Sequence, residues 1–235
     1  MRLLLLSNST NPGEGYLEYP KHDIQNFLGE KSVKALFIPY AAVRLSYDDY
    51  EAKVETRFAE IGHHVVSIHH FQDPVKAVEE AEAIVVGGGN TWRLVQQMHL
   101  NGLMEPIRKK VLSGTPYVGW SAGSNVACPT LCTTNDMPVI NPISFNTLNL
   151  IPFQINPHFL DVNPPGFGGE TREERIIEFL ELNQNVYVVG LRESTLLHLE
   201  GDNMKLVGAR TARIFKKGQE FYELGADADF SFLLL

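Results

Sequence analysis

Short runs of apolar residues alternate with amphipathic stretches through the first half of the chain. Val, Ile, Leu and aromatic residues dominate these runs, which favours β-strands, and every run but the first follows a helical pattern. This alternation is typical of βα units that build a parallel sheet with helices on its faces. The predicted strands cover residues 2–6, 33–38, 64–69, 83–86 and 117–120.

Two stretches of the first half have the apolar spacing of helices. Residues 47–61 form the clearer one, with Ser46 as the N-cap. The second stretch, 91–112, contains Gly102 and Pro106, which predict two helices that meet at a bend.

The second half of the chain is less regular. Residues 129–169 are rich in Pro, Asn and Gly, which predicts a long loop of the kind that often carries function. A helix at 171–182 and a buried strand at 186–191 follow, and then antiparallel hairpins that turn at 201–203 and 217–218.

These patterns predict the fold class and the domain organisation. We expect one α/β domain over residues 1–235, a sandwich in which helices flank a central β-sheet that is mostly parallel and mixed at one edge. The apolar end of the chain, 230–235, packs into the core, covers a sheet edge or joins a subunit contact, and the sequence leaves these three options open.

Composition excludes several classes of partner. The formal net charge is −8 and there is no basic run, so nucleic acid and anionic membranes are poor partners. No apolar run is long enough to span a bilayer. The two cysteines, Cys128 and Cys132, provide no disulfide framework and are expected to be small core residues rather than a metal or redox pair, in a reducing, cytoplasmic setting.

The motif Gly119-Trp120-Ser121-Ala122-Gly123 fits a nucleophile elbow, the sharp strand-to-helix turn that exposes a serine hydroxyl. Its context agrees, because a predicted strand precedes it and a helix can start after it. The backbone N–H of Ala122 would then face a developing oxyanion. The alternative is a plain Gly-Ser-Gly turn without a function.

A glycine run, Gly87-Gly88-Gly89, ends the preceding predicted strand. It lacks the spacing and the lysine of known phosphate-binding loops, so a nucleotide site is a weak prediction. Since neighbouring βα loops open at the same sheet edge, Gly89 is the expected second oxyanion donor. A glycine-rich helix start that binds nothing is the alternative.

A serine nucleophile needs a base, and histidine suits that task. His158 lies in the irregular region after the elbow and is the best candidate of eight histidines. Four others, His63, His64, His69 and His70, surround one predicted strand. Because adjacent strand residues face opposite sides, we do not expect these four to converge on a metal ion.

Two carboxylates are candidates for the group that orients the base. Asp136 lies between the serine and the histidine in sequence, the Ser, acid, His order of α/β-hydrolases. Glu193 directly follows the predicted strand that ends at Leu191, so it would lie at the sheet edge with the other groups. The residues alone do not decide between them.

Six segments, SNST, VGGGNT, GWSAGSN, TTNDMP, INPHF and GETRE, together resemble the peptidase E family, serine peptidase family S51, which is related to class I glutamine amidotransferases. The resemblance covers most of the chain. It implies a class I glutamine amidotransferase-like fold and a homodimeric cytoplasmic enzyme that cleaves dipeptides with an N-terminal aspartate, without metal or organic cofactor. The alternatives are a hydrolase of β-aspartyl or cyanophycin-like peptides and a non-catalytic module that binds an acidic ligand.

The resemblance also implies roles for the reacting groups. Ser121 matches the nucleophile and His158 the base, while Gly89 and Ala122 match the oxyanion donors. Glu193 matches the carboxylate of a Ser-His-Glu arrangement and is the favoured orienter.

The resemblance also implies roles for two further residues. Asp136 would shape the site or bind the substrate amino group, although an aspartate at this position is also assigned to the charge relay. Arg172 would pair with the substrate aspartate, since a guanidinium matches a carboxylate bidentately; its alternative is a helix surface charge. The chain departs from similar proteins around Glu193, where Arg192 replaces a common proline and Ser194 a common glycine.

Overall fold

The computed structural model describes all residues from 1 to 235 and contains two β-sheets with helices packed on them. The strands are β1 (Arg2–Leu6), β2 (Lys34–Ile38), β3 (His64–Ser67), β4 (Ile84–Val86), β5 (Tyr117–Trp120), β6 (Gln154–Pro157), β7 (Tyr187–Leu191), β8 (Leu196–Glu200), β9 (Asn203–Val207), β10 (Ala212–Lys216) and β11 (Tyr222–Leu224). The helices are α1 (Lys21–Leu28), α2 (Tyr47–Glu60), α3 (Pro74–Glu80), α4 (Thr91–Leu100), α5 (Met104–Leu112), α6 (Ala122–Asn125) and α7 (Arg172–Leu182).

The central sheet has seven strands in the order β3-β2-β4-β5-β1-β8-β9. The first five are parallel, and β8 and β9 continue the sheet in antiparallel pairing. This confirms the predicted α/β class with a mixed edge. Because β4, β5 and β1 are neighbours, the loops that follow them open at the same edge of the sheet.

A second sheet of four strands, in the order β11-β10-β7-β6, was not predicted. Strand β6 lies inside residues 129–169, which were predicted to be a loop. It is only four residues long and all four residues are buried, so its sequence is too short to identify a strand by its periodicity. It pairs in parallel with β7, the strand predicted at 186–191.

Three local predictions can be compared with the structure. Ser46 caps α2 by accepting a hydrogen bond from the backbone N–H of Asp49, as expected. The stretch 91–112 is divided into two helices, α4 and α5, as predicted, and Pro106 lies in the first turn of α5, where its missing N–H leaves no bond unmade. The strand predicted at 64–69 is too long, because a 3-10 helix (Ile68–His70) follows β3.

The C-terminal segment packs into the core and covers the edge strand β9. Phe230 and Leu233 are buried in an apolar cluster that also contains residues of both sheets. The N–H of Phe230 donates to the carbonyl of Met204, and the N–H of Met204 donates to Ser231 Oγ at 3.0 Å. The tail therefore satisfies backbone groups that an open edge would expose.

The two cysteines differ in their exposure to solvent. Cys128 is buried as expected, and burial raises the pKa of its thiol to about 12, whereas Cys132 is exposed and is not the core residue that was predicted. None of the helices combines the length and the apolar composition needed to cross a membrane.

Candidate active site

The predicted elbow is present at the end of β5. Ser121 adopts a left-handed backbone conformation with φ 53°, which is uncommon for a residue with a side chain. A Cβ on Gly119 would lie 2.5 Å from the carbonyl oxygen of Gly123, and one on Gly123 would lie 2.1 Å from that of Val86. Both positions therefore require glycine, which is the physical reason for the spacing of the motif.

Ser121, His158 and Glu193 form one hydrogen-bonded line. Nε2 of His158 lies 3.0 Å from Ser121 Oγ, and Nδ1 of the same ring lies 2.7 Å from Glu193 Oε1. His158 directly follows β6 and Glu193 follows β7. Since these strands pair in parallel, with Pro157 opposite Leu191, their carboxyl ends place the two side chains together.

Asp136 lies in the same pocket as Ser121 but makes no hydrogen bond with His158. Its Oδ2 accepts from the N–H of Thr91 at 2.7 Å, from Thr91 Oγ1 at 2.6 Å and from Thr134 Oγ1 at 3.1 Å. The other carboxylate oxygen accepts no hydrogen bond within the protein. Of the two candidate carboxylates, Glu193 and not Asp136 forms a hydrogen bond with His158.

Two backbone amides near the serine are free to donate. The N–H groups of Gly89 and Ala122 donate no hydrogen bond within the protein. Ala122 is the first residue of α6, directly after the elbow, and Gly89 borders the same pocket. A Cβ on Gly89 would lie 2.5 Å from the carbonyl oxygen of Ala41, so glycine is required there as well.

The segment after β1 holds the histidine and glutamate loops in place. Ser7 Oγ donates to the carbonyl of Leu191 at 2.7 Å and accepts from the N–H of His158 at 2.9 Å. Asn8 Oδ1 accepts from the N–H of Ser194 at 2.9 Å. Neither residue was predicted to have a role at the site. The available signal was two polar residues directly after a strand, at the edge where the other groups meet.

A pocket of about 490 Å³ opens over Ser121 and His158. Its wall includes two tyrosines, Tyr16 and Tyr50, and two cationic side chains, Arg44 and Lys53. None of these four was predicted as a site residue, because they belong to segments far from the motifs.

Tyr50 supports the glycine loop on one side of this pocket. Its hydroxyl donates to the carbonyl of Gly88 at 3.0 Å and accepts from Trp120 Nε1 at 3.2 Å. Burial raises the pKa of Tyr50 to about 12, so the phenol stays neutral and remains a donor at physiological pH.

Arg172 is the first residue of α7, whose N-cap Thr171 forms a capping box with Glu174. Its side chain is half-buried and makes no hydrogen bond or ion pair within the protein. Burial lowers the pKa of Arg172, as does Arg175, while the charge of Asp136 raises it. Arg172 does not belong to the wall of the pocket over Ser121. It is thus a poorly compensated cation close to the site rather than inside it.

A serine, a histidine and a carboxylate in one line at the edge of an α/β sheet are the groups with which many hydrolases are built. The pattern of Peptidase family S51 matches residues 3–207 of the chain. Proteins named Peptidase E are 52% identical over 99% of this chain and 96% of the relative in Nostoc sp.. In Escherichia coli such a relative is 47% identical, over 96% of this chain and 98% of the relative.

Two solved structures have the same fold. A peptidase from an acI-B1 Actinobacterium gives a TM-score of 0.68 at 19% identity, covering 98% of this chain and 96% of that one. A putative peptidase E protein from Listeria monocytogenes gives 0.65 at 20% identity, covering 88% and 98%. The chain belongs to peptidase family S51, and its class of activity is peptide hydrolysis.

Proposed function

We propose that this chain is a serine dipeptidase that hydrolyses dipeptides with an N-terminal aspartate through an acyl-enzyme on Ser121. The observation that carries the proposal is the line from Ser121 Oγ through His158 to Glu193, with contacts of 3.0 and 2.7 Å. A hydroxyl in contact with an imidazole, which a carboxylate holds from the other side, is the arrangement that activates a serine.

In the acylation step, His158 Nε2 takes the proton of Ser121 Oγ while the oxygen attacks the peptide carbonyl carbon. The free amides of Gly89 and Ala122 donate to the oxyanion that forms. Glu193 stabilises the charged imidazolium, which then gives its proton to the leaving nitrogen. The C–N bond breaks, residue X departs with a free amino group, and an aspartyl ester remains on Ser121.

In the second step a water molecule takes the place of the leaving residue. His158 removes its proton as it attacks the ester, and returns that proton to Ser121 Oγ when the C–O bond breaks. The products are aspartate and the free amino acid X. The same three side chains serve both steps.

The charges around the site fit an aspartate at the N-terminus of the substrate. Asp136 has one carboxylate oxygen without an internal partner, and we assign it to the substrate ammonium group. Arg172 has no internal ion pair, and we assign it to the substrate side-chain carboxylate. A substrate that lacks either group would leave a charge of the site unpaired, which penalises its binding.

Hydrolysis of a dipeptide panel tests the proposal. Asp-Leu should be cleaved, whereas Asn-Leu, Leu-Asp and N-acetyl-Asp-Leu should be cleaved slowly or not at all. Asn-Leu is the matched control, because it differs from Asp-Leu only in the charge of the side chain. Preferred cleavage of β-Asp-Leu would favour the β-aspartyl alternative. Binding of aspartate without cleavage of any peptide would favour the non-catalytic module.

We also propose that the enzyme works as a homodimer in the cytoplasm, as its family resemblance implies. Large apolar side chains are exposed just after Asp136, a feature of surfaces that bind other proteins; they are Met137, Val139, Ile140, Ile143 and Phe145. Light scattering of the purified protein should give twice the mass of the chain, and a monomer at micromolar concentration would contradict this.

A further inference from the structure

Four side chains with metal-binding groups meet where α2 packs against the 3-10 helix that follows β3. They are Asp48 and Glu51 of α2 and His69 and His70 of the 3-10 helix. One donor atom from each of the four lies within 4.8 Å of the other three. His69 and His70 lie side by side because a 3-10 turn, and not the predicted strand, carries them.

The contacts within this cluster place nitrogen against oxygen. Nε2 of His69 lies 2.9 Å from Asp48 Oδ1. Nε2 of His70 lies 2.6 Å from Glu51 Oε2 and 3.8 Å from Asp48 Oδ1. The four donor atoms therefore lie close together at the protein surface.

Ser67, the buried last residue of β3, orients two of the ligands. Its N–H donates to Glu51 Oε1 at 2.7 Å, which leaves Oε2 of the same carboxylate toward the cluster. Its Oγ lies 2.6 Å from His69 Nδ1. When Nδ1–H donates to this oxygen, the neutral ring presents an unprotonated Nε2. Support of this kind from outside the ligand set is usual for metal-bound histidine and carboxylate groups.

We propose that these four residues bind a divalent transition metal of the Zn²⁺ class. Zn²⁺ binds imidazole nitrogen and carboxylate oxygen at about 2.0–2.2 Å in tetrahedral geometry, so its ligand atoms lie roughly 3.3 Å from one another. The contacts of 2.6, 2.9 and 3.8 Å lie on either side of that value. Two imidazoles favour Zn²⁺ over Mg²⁺ or Ca²⁺, which prefer ligand sets made of oxygen.

Binding there would fasten α2 to the 3-10 helix. Helix α2 also carries Tyr50 and Lys53, which line the pocket over Ser121. The metal ion would thus stabilise one wall of that pocket without taking part in the chemistry at the serine. The inference does not depend on the proposed dipeptidase activity.

Isothermal titration of the metal-free, tag-free protein with ZnCl₂ tests this site. The wild type should bind one Zn²⁺ per chain, and His69→Gln and His70→Gln should each weaken binding by at least about tenfold. His64→Gln is the matched control. It removes a histidine that contacts Glu55 at 2.6 Å between β3 and α2 but lies outside the cluster, so binding should not change.

Thermal unfolding gives a second readout that needs no substrate. Zn²⁺ should raise the Tm of the wild type and of His64→Gln but not that of the His69→Gln/His70→Gln double variant. The inference is overturned if the wild type takes up no stoichiometric Zn²⁺, if the double variant binds it as tightly, or if His64→Gln weakens binding as much as the other changes do.

Discussion

Oε1 of Glu193 lies 2.7 Å from Nδ1 of His158, although 35 positions separate the two residues in the sequence. The parallel pairing of β6 with β7 produces this contact, since each residue lies just beyond the carboxyl end of its strand. Asp136, the other candidate carboxylate, is held by Thr91 and Thr134 instead. The two acidic groups therefore have separate surroundings, which predicts separate effects on catalysis.

Exchange of each carboxylate for its amide should separate these effects. Glu193→Gln should lower kcat on Asp-Leu by roughly 10³–10⁴-fold, because the amide no longer stabilises the charged imidazole. Asp136→Asn should lower kcat/KM by at least about tenfold, mainly through KM, because an ammonium ion loses its charged partner. Steady-state kinetics measures both. A larger loss of kcat in Asp136→Asn than in Glu193→Gln would contradict the assignment of Glu193 as the orienting group.

Arg172 should determine the preference for an acidic side chain. Arg172→Ala should lower kcat/KM for Asp-Leu by roughly 10- to 100-fold, which corresponds to the free energy of one hydrogen bond to a charged group. It should also reduce the discrimination against Asn-Leu. Arg172→Lys should recover little, because it lacks the bidentate geometry. Arg175→Ala is the matched control on the same helix, where Arg175 pairs loosely with Glu170 at 3.7 Å. Equal losses in both alanine variants would exclude a specific role.

Arg192 stabilises the loop that carries Glu193. Its buried guanidinium pairs with Asp161, in the segment after His158, and with Glu223 of β11. Arg192→Met should lower the free energy of unfolding by about 1–3 kcal/mol at neutral pH, less than a fully buried pair costs, since both carboxylates are partly exposed. Lys217→Met, at a surface pair with Glu181, should cost less than about 1 kcal/mol.

The cost of Arg192→Met should depend on pH in one direction. Hydrogen bonds from Arg192 hold the pKa of Asp161 and of Glu223 below the usual range. A depressed pKa contributes stability that is present above the unfolded value of about 4 and is lost as the pH falls through the folded value. Denaturant unfolding at several pH values should show a smaller difference between the two proteins in acid. A difference that grows below about pH 4 would contradict this account.

Ser194 is held in a left-handed conformation with φ 68°. Ser194→Gly should raise the free energy of unfolding by about 1 kcal/mol, because glycine adopts this conformation without a steric cost. Ser194→Ala should bring no such gain, since alanine keeps the Cβ. Thermal unfolding of the two variants measures the difference, and equal stability of both would contradict strain at this position.

The elbow could be predicted because its residues are adjacent in the sequence. Glycines at 119 and 123 are needed within one turn, and a strand before Ser121 is visible as an apolar run. His158 and Glu193 could be named as candidates because each adjoins a strand or an irregular segment. Their mutual contact could not be derived from the residues, because it depends on β6, a buried strand too short to show a period.

The wall of the pocket could not be predicted for a related reason. The hydroxyl groups of Tyr16 and Tyr50 both accept a hydrogen bond from Trp120 Nε1, and the Tyr16 hydroxyl donates to that of Tyr50 at 3.0 Å. Such contacts are fixed by the tertiary packing of α2, which no local pattern describes. Likewise, the convergence of His69 and His70 depends on a single 3-10 turn in a stretch that has strand-like composition.

The most direct test of the central claim is the hydrolysis of Asp-Leu by the wild type and by Ser121→Ala, followed through the release of leucine. Thermal unfolding of both proteins establishes that the variant is folded. We predict that the wild type cleaves Asp-Leu and that folded Ser121→Ala shows no cleavage above background. Substantial hydrolysis by Ser121→Ala would show that Ser121 is not the nucleophile and would contradict the proposed mechanism.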